Sequence, residues 1–219
     1  MRLLDLFCGR FGWSKAFAER GWECVGMDLV KPAEVPNMCR FIQQDILALT
    51  TNWMREASQD FDFICASSPC EQFSVHGMRC FHKNPPYPEL GIKLFNHTRA
   101  LCEATDLPYV MENVRAAEPF VGRAKMRCGP FALWGSGVPT ILPQGIKKGN
   151  RFRGAPGNYM ASCPADVDRK EWRMRWQKQV EKAAGGRRHV ANYAAEIPPE
   201  LSACVADYAE RLLEMRATA

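Results

Sequence analysis

The first 28 residues restrict the fold more than any other stretch. Leu3 to Phe7 is an apolar run of strand type, Cys8-Gly-Arg-Phe-Gly12 is a glycine-bearing turn, and Ser14 to Arg20 has helical spacing with Gly21 as its stop. Glu23 to Met27 is then a second strand, ending at Asp28. Strand, glycine turn, helix, strand and acid, in that order, open a doubly wound α/β unit, in which the two strands are parallel and the helix crosses between them. The alternation continues. A third short strand is expected within Phe41 to Ile46 with Asp45 at its end, then a helix over Thr51 to Ser58, and then a strand from Phe61 to Ala66 that runs into Cys70. Pro88 to Ala104 carries apolar residues at helical spacing, and Leu107 to Met111 reads as a strand followed by Glu112-Asn113. Four successive strands thus finish in Asp28, Asp45, Cys70 and Glu112. In an open α/β sheet a ligand lies beyond the carboxyl ends of the strands, where these four would collect.

At 219 residues the chain is long enough for one domain with a small appendage. Hydrophobic residues make up 47% of it, which excludes a disordered protein. No stretch approaches 18 uninterrupted apolar residues, so no membrane contact is expected. The opening Met-Arg-Leu-Leu-Asp does not read as a signal peptide, and ten cysteines without secretory features suggest free thiols in a reducing, cytoplasmic setting. Charge is uneven. Residues 136–190 hold twelve Lys or Arg against four Asp or Glu, whereas the remainder holds seventeen against twenty. A slightly acidic body with one basic segment fits a polyanion held on one face, or a merely solvated basic surface. The expected organisation is a body over 1–135, a small basic segment over 136–190, and a C-terminal helix returning to the body within 191–219. That helix, Glu200 to Met215, would bury Leu201, Cys204, Val205, Tyr208, Leu212 and Met215. From Gly122 onward the text is glycine-rich and reads as irregular.

Pro69 fixes the backbone immediately before Cys70, which places a thiol at a strand mouth as a nucleophile would be placed. A lone Pro-Cys is weak evidence, since cysteine is commonly a small buried hydrophobe. Residues 71–88 read as a long loop of Gly, Pro, His and basic side chains, long enough to act as a lid.

In this order the residues resemble the DNA (cytosine-5) methyltransferase family. Asp5-Leu-Phe-Cys-Gly-Arg-Phe-Gly-Trp-Ser14 is similar to its cofactor turn, Ser68-Pro-Cys-Glu-Gln-Phe-Ser74 to its nucleophile motif, and Met111-Glu-Asn-Val114 to its glutamate motif. The likeness is to short members of phage and prophage type, with a bacterial or phage-infected cell as the setting and restriction–modification as the context. The resemblance implies a Rossmann-like S-adenosylmethionine-dependent methyltransferase fold with a small basic irregular insertion. It implies S-adenosylmethionine as cofactor, no metal, and double-stranded DNA as substrate, the target base being flipped out. Cys70 would be the nucleophile and Glu112 the acid at the ring, with Asn113 bracing them and Arg127 near the base. Phe7, Gly9, Gly12, Asp28, Asp45 and Pro69 would line the cofactor pocket. Asp28 would meet the ribose and Asp45 the adenine amino group, although Asp45 could equally be a helix N-cap. Arg79 and Lys83 of the loop, and Lys147, Lys148, Arg151 and Arg153 of the basic segment, would meet nucleic acid.

The chain also departs from the family pattern. Phe11 stands where glycine is usual, no Gln-x-Arg-x-Arg signature follows Glu112, and the basic segment is small for target recognition, so a protein partner could complete it. Three other readings remain open: the same reaction on RNA, a non-catalytic protein of this fold, and a zinc module drawn from Cys65, Cys70, Cys80 and His82.

Overall fold

The structure is a computed structural model; it describes residues 1–70, 72–73, 88–144 and 197–218. Among them the strands are β1 (Arg2–Leu6), β2 (Glu23–Asp28), β3 (Cys39–Gln43), β4 (Phe63–Ser67), β5 (Tyr109–Val114), β6 (Met126–Cys128) and β7 (Phe131–Trp134). The helices are α1 (Ser14–Ala18), α2 (Thr51–Ala57), α3 (Glu89–Glu103), α4 (Glu118–Val121) and α5 (Pro199–Ala217).

One seven-stranded sheet runs in the order β3-β2-β1-β4-β5-β7-β6. The first five strands are mutually parallel, and β7 and β6 close the sheet antiparallel. Because β1 lies between β2 and β4 with helices over both faces, Leu3, Leu4, Asp5 and Leu6 are all buried, as an interior parallel strand requires. Side-chain alternation sorts the core into two layers. Leu4, Leu6, Ile64, Ala66 and Met111 pack with Met54 of α2 and Phe95 and Leu101 of α3. Leu3, Phe63, Cys65 and Val110 pack with Trp13, Phe17 of α1 and Leu201 and Val205 of α5.

The parallel α/β expectation holds, and three local readings are corrected. The glycine-rich text after Gly122 contains the β6–β7 hairpin, whose two-residue turn begins at Gly129 with φ 59°. Strands of three and four residues are too short to show a period, and Phe131 to Trp134 is buried throughout, so no alternation is visible. β5 continues through Glu112 and Asn113 to Val114, so both residues lie within the strand and not beyond it. α5 turns a different face inward. Leu201, Ser202, Val205, Ala206 and Ala209 are buried, whereas Cys204 is half-buried and Met215 is 68% exposed. The small residues let α5 approach α1 closely, and Trp22 Nε1 donates to Glu210 across that seam at 3.0 Å. Among the described residues no helix is long and apolar enough to cross a membrane.

Candidate active site

Parallel pairing brings the carboxyl ends of β1, β2, β3, β4 and β5 to one edge of the sheet, and the singled-out residues of the body gather there. After β1 the backbone turns through the left-handed region three times, at Phe7 (φ 60°), Gly9 (φ 49°) and Phe11 (φ 61°). Two of these are not glycine, so the conformation is held against a local cost. The restraints are visible. Cys8 N donates to Met27 O at 3.0 Å, Phe11 N to Cys8 O at 2.6 Å, and Gly9 N to Asp28 Oδ2 at 3.0 Å. Asp28 thus ties the turn to the end of β2, while its Oδ1 accepts from Val30 N at 3.2 Å. Gly12 is half-buried just before α1.

Phe11 does not obstruct this turn. Its ring is fully buried, and it occupies the space that a side chain on Gly26 of β2 would need. A Cβ at Gly26 would meet the Phe11 ring and lie 2.8 Å from Cys8 Sγ. The bulk that is unusual at position 11 is accommodated by the missing side chain at position 26. An isolated glycine inside an apolar strand signals such a close approach, and Cys24-Val-Gly26-Met carries that signal. Behind the turn, Ser14 Oγ donates to buried Asp5 Oδ2 at 2.6 Å, and burial nevertheless pushes the Asp5 carboxyl up to about 7.

Asp45 lies two residues past the end of β3 and is exposed. Its Oδ1 accepts from Leu47 N at 2.9 Å and caps a 3₁₀ turn over Ile46–Ala48, so the N-cap alternative is realised. His97 Nε2 of α3 contacts Ile46 O at 3.0 Å and holds that turn down.

β4 ends at Ser67, the register partner of Glu112. Glu112 is 7% exposed. Next to it, fully buried Asn113 donates through Nδ2 to Ser68 O at 2.9 Å and Ser68 Oγ at 3.1 Å, which fixes the peptide leading into Pro69 and Cys70. Pro69 is exposed and Cys70 half-buried. The carbonyl of Cys70 accepts from Phe73 N at 3.0 Å, and the buried Phe73 ring sits against Phe120 of α4 with centroids 6.0 Å apart. Gln72 Oε1 accepts from Gly91 N in the first turn of α3 at 2.8 Å. Two pegs, Phe73 and Gln72, therefore dock the far side of the Cys70 turn.

Burial pushes Cys8, Cys65, Cys102, Cys128 and Cys204 above the ordinary thiol range. The bond with Cys39 does the same to Cys24 and lowers Cys39. Cys39 begins β3, at the opposite end of the sheet from Cys70. No group of three or more potential metal ligands occurs among the described residues.

Arg127 lies in β6, in register with Ala132 of β7, which pairs in turn with Asn113. Its guanidinium forks onto Glu118, with Nε 3.2 Å and Nη2 3.0 Å from Oε1 and Nη2 2.8 Å from Oε2. Burial works upward on Glu118, but bonds from Ala124 N and Arg127 hold it below its usual range. The geometry therefore gives Arg127 a bracing partner. Arg79, Lys83, Lys147, Lys148, Arg151 and Arg153 lie outside the described residues, as do Cys80 and His82.

The sequence-level reading missed Trp13, Ser67, Gln72, Gly26 and Gly91, each of which acts through a partner distant in the chain.

Solved structures that match part of the chain include a protein described as a putative NADH-flavin reductase from Streptococcus pneumoniae, at 18% identity and TM-score 0.30, covering 50% of this chain and 45% of that one. The glycopeptide N-methyltransferase MtfA complexed with sinefungin matches at 17% identity and TM-score 0.30, over 52% and 43% of the two chains. A 16S rRNA (adenine(1408)-N(1))-methyltransferase from Catenulisporales acidiphilia matches at 14% identity and TM-score 0.31, over 53% and 57%. The chain thus spans less than half the length of the first two. No curated protein matches it. The sequence model of the C-5 cytosine-specific DNA methylases, in contrast, matches residues 1–118, more than half of the chain. That match takes in the Phe7–Gly12 turn, Asp28, Cys70, Glu112 and Asn113, and the chain belongs to the C-5 cytosine-specific DNA methylase family.

Proposed function

We propose that this protein transfers a methyl group from S-adenosylmethionine to C5 of cytosine in DNA, through a covalent adduct of Cys70 assisted by Glu112. The observation that carries the reading is the meeting of β1, β4 and β5 at one sheet edge. The Cys70 turn follows Ser67, and Ser67 is in register with Glu112.

Cytosine C5 is a weak nucleophile. Addition of the Cys70 thiolate at C6 pushes an electron pair toward C5, while the Glu112 carboxyl holds a proton at N3 and offsets the charge developing on the ring. S-adenosylmethionine supplies the methyl group that C5 takes up. Loss of the C5 proton then restores the ring and expels Cys70 as thiolate. Asn113 holds the Ser68 peptide that aims Cys70, a positioning role that agrees with its two bonds.

The residues fit the cofactor. The turn is kept by Asp28 and Met27, and the aromatic ring that could have filled it is buried under Gly26. Phe7, Gly9 and Gly12 would border the donor, Asp28 its ribose and Pro69 its methyl end. Asp45 would reach the adenine with the oxygen that does not cap Leu47. Arg79 and Lys83 would close over a flipped base. Lys147, Lys148, Arg151 and Arg153 would grip phosphates, giving an affinity that falls steeply with salt.

The test is incubation with labelled S-adenosylmethionine and matched DNA and RNA, followed by nucleoside analysis. We expect 5-methylcytosine from DNA, none with Cys70→Ser, and a loss of about 10²- to 10⁴-fold with Glu112→Gln. An oligonucleotide carrying 5-fluorocytosine at the target should trap Cys70, because fluorine cannot leave as a cation. A methylated product without that trapped band would overturn Cys70 as nucleophile, and product on RNA alone would overturn the DNA assignment.

A further inference from the structure

The cofactor turn and the nucleophile turn are joined by a side chain for which the proposed chemistry has no use. Trp13 ends the turn that begins at Phe7 and is 2% exposed. Its indole Nε1–H donates to Ser67 Oγ at 2.9 Å, across 54 residues of sequence. Ser67 is the last residue of β4, three before Cys70. The other side of Trp13 is anchored as well. Its carbonyl accepts from Ser202 Oγ of α5 at 2.6 Å, and the adjacent Ser14 is bonded to Asp5. The ring itself lies in the apolar layer with Phe17 and Trp22. A phenylalanine could fill that layer without a partner, whereas a buried indole N–H needs an acceptor. The acceptor here is the strand end that leads to the nucleophile.

We propose that Trp13 is a positioning residue that sets the spacing between the cofactor turn and the Cys70 turn through its bond to Ser67. The inference rests on the methyl-transfer reading above. Each turn keeps anchors of its own, Gly9 on Asp28 and Ser68 on Asn113. Cutting the Trp13–Ser67 bond leaves both turns built and lets one slide against the other. Methyl transfer depends on close alignment across that gap, where a misplacement of about 1 Å can cost 10²-fold. Addition of Cys70 to C6 needs only the base, Cys70 and Glu112, so it is spared.

The two steps can be read separately. With tritium at cytosine C5 and no methyl donor, Cys70 adds at C6 and C5 takes a proton from water. Loss of the triton with departure of Cys70 then releases tritiated water, which reports addition and proton exchange at C5 without methyl transfer. Trp13→Phe and Ser67→Ala should each lower kcat for methyl transfer about tenfold, with exchange and S-adenosylhomocysteine affinity within about twofold of wild type. The double variant should be no worse than the poorer single one, and Ser67→Thr, which keeps the acceptor, should stay near wild type. Ser67→Ala leaves the core ring in place, so it decides the matter even if Trp13→Phe folds poorly. If Ser67→Ala methylates as wild type does, if exchange falls in step with methylation, or if the two losses add, Trp13 is a core residue and no more. A wild type that neither methylates nor exchanges tritium nor binds S-adenosylhomocysteine overturns the proposed function and this inference with it. An active wild type with unseparated losses overturns this inference alone.

Discussion

After β1 the chain turns through Phe7, Gly9 and Phe11 at positive φ, held by backbone bonds and by one carboxylate, Asp28. After β4, on the neighbouring strand, it turns through Ser68, Pro69 and Cys70 with no described residue in the left-handed region, held by the side chains of Asn113, Gln72 and Phe73. The first turn is shaped by its own backbone and sends Phe11 and, at its end, Trp13 into the core. The second is shaped by Asn113 of β5 and by its own pegs, Gln72 docked on α3 and Phe73 on α4. The contrast follows from what each turn would do in the proposed reaction. A turn that wraps a ligand must present backbone and keep its inner side bare. A turn that aims one sulfur atom must be stopped from moving, and contacts from separate elements achieve that.

The most severe way to break the first turn is Gly26→Ala. The added Cβ meets the Phe11 ring and Cys8, both buried, so neither can yield cheaply. We expect a loss of about 3 kcal/mol in chemical denaturation and a large fall in S-adenosylhomocysteine affinity by calorimetry. Phe11→Gly and Gly26→Ala should be non-additive by at least about 1 kcal/mol, the pair costing less than the sum. Strict additivity would mean that the two positions do not share one space.

Next in size is Asp5, which anchors the same turn from behind. The unfolded chain ionises Asp5 near 3.8, whereas burial keeps the native carboxyl protonated up to about 7. Between those values the native state binds the extra proton, so stability falls as pH rises, by at most about 1.4 kcal/mol per unit, and levels off above 7. Asp5→Asn removes that slope. Melting from pH 4 to 8 should show the variant without the Asp5 slope and more stable than wild type at pH 8. Parallel curves for the two proteins would refute the assignment.

The smallest effect sharpens the second turn. A Cβ at Gly91 would lie 3.0 Å from Phe73 Cε2 and Cζ and 3.5 Å from Gln72 Cβ. Alanine is preferred over glycine in a helix by about 1 kcal/mol, which offsets much of the crowding, so Gly91→Ala should change stability little. Turnover should fall about two- to fivefold as the shifted ring moves the Cys70 turn. Wild-type turnover would show that Phe73 does not position Cys70.

The strands and helices of the body were readable because their signals are local. Leu3 to Phe7, the glycine turn and Asp28 lie within one window, and Cys70 and Glu112 each close an apolar run. What escaped lay where two distant segments meet. The departure at Phe11 is matched by Gly26, fifteen residues on, whose missing side chain leaves room for the ring. The buried face of α5 could not be told from its apolar residues, since the close seam with α1 favours Ala206 and Ala209 over Met215. The β6–β7 hairpin was too short to carry a period.

From the chain alone came the parallel α/β class, the collection of Asp28, Cys70 and Glu112 at one sheet edge, and the chemistry those side chains could perform, because each depends on short-range periodicity and on residue type. Only the tertiary structure decided that β4 lies beside β1, so that Trp13 reaches Ser67, and that β5 lies beside β4, so that Asn113 holds Ser68. Strand order is set by how crossover helices pack over the sheet. That packing is a property of the assembled core, and no local window of sequence contains it.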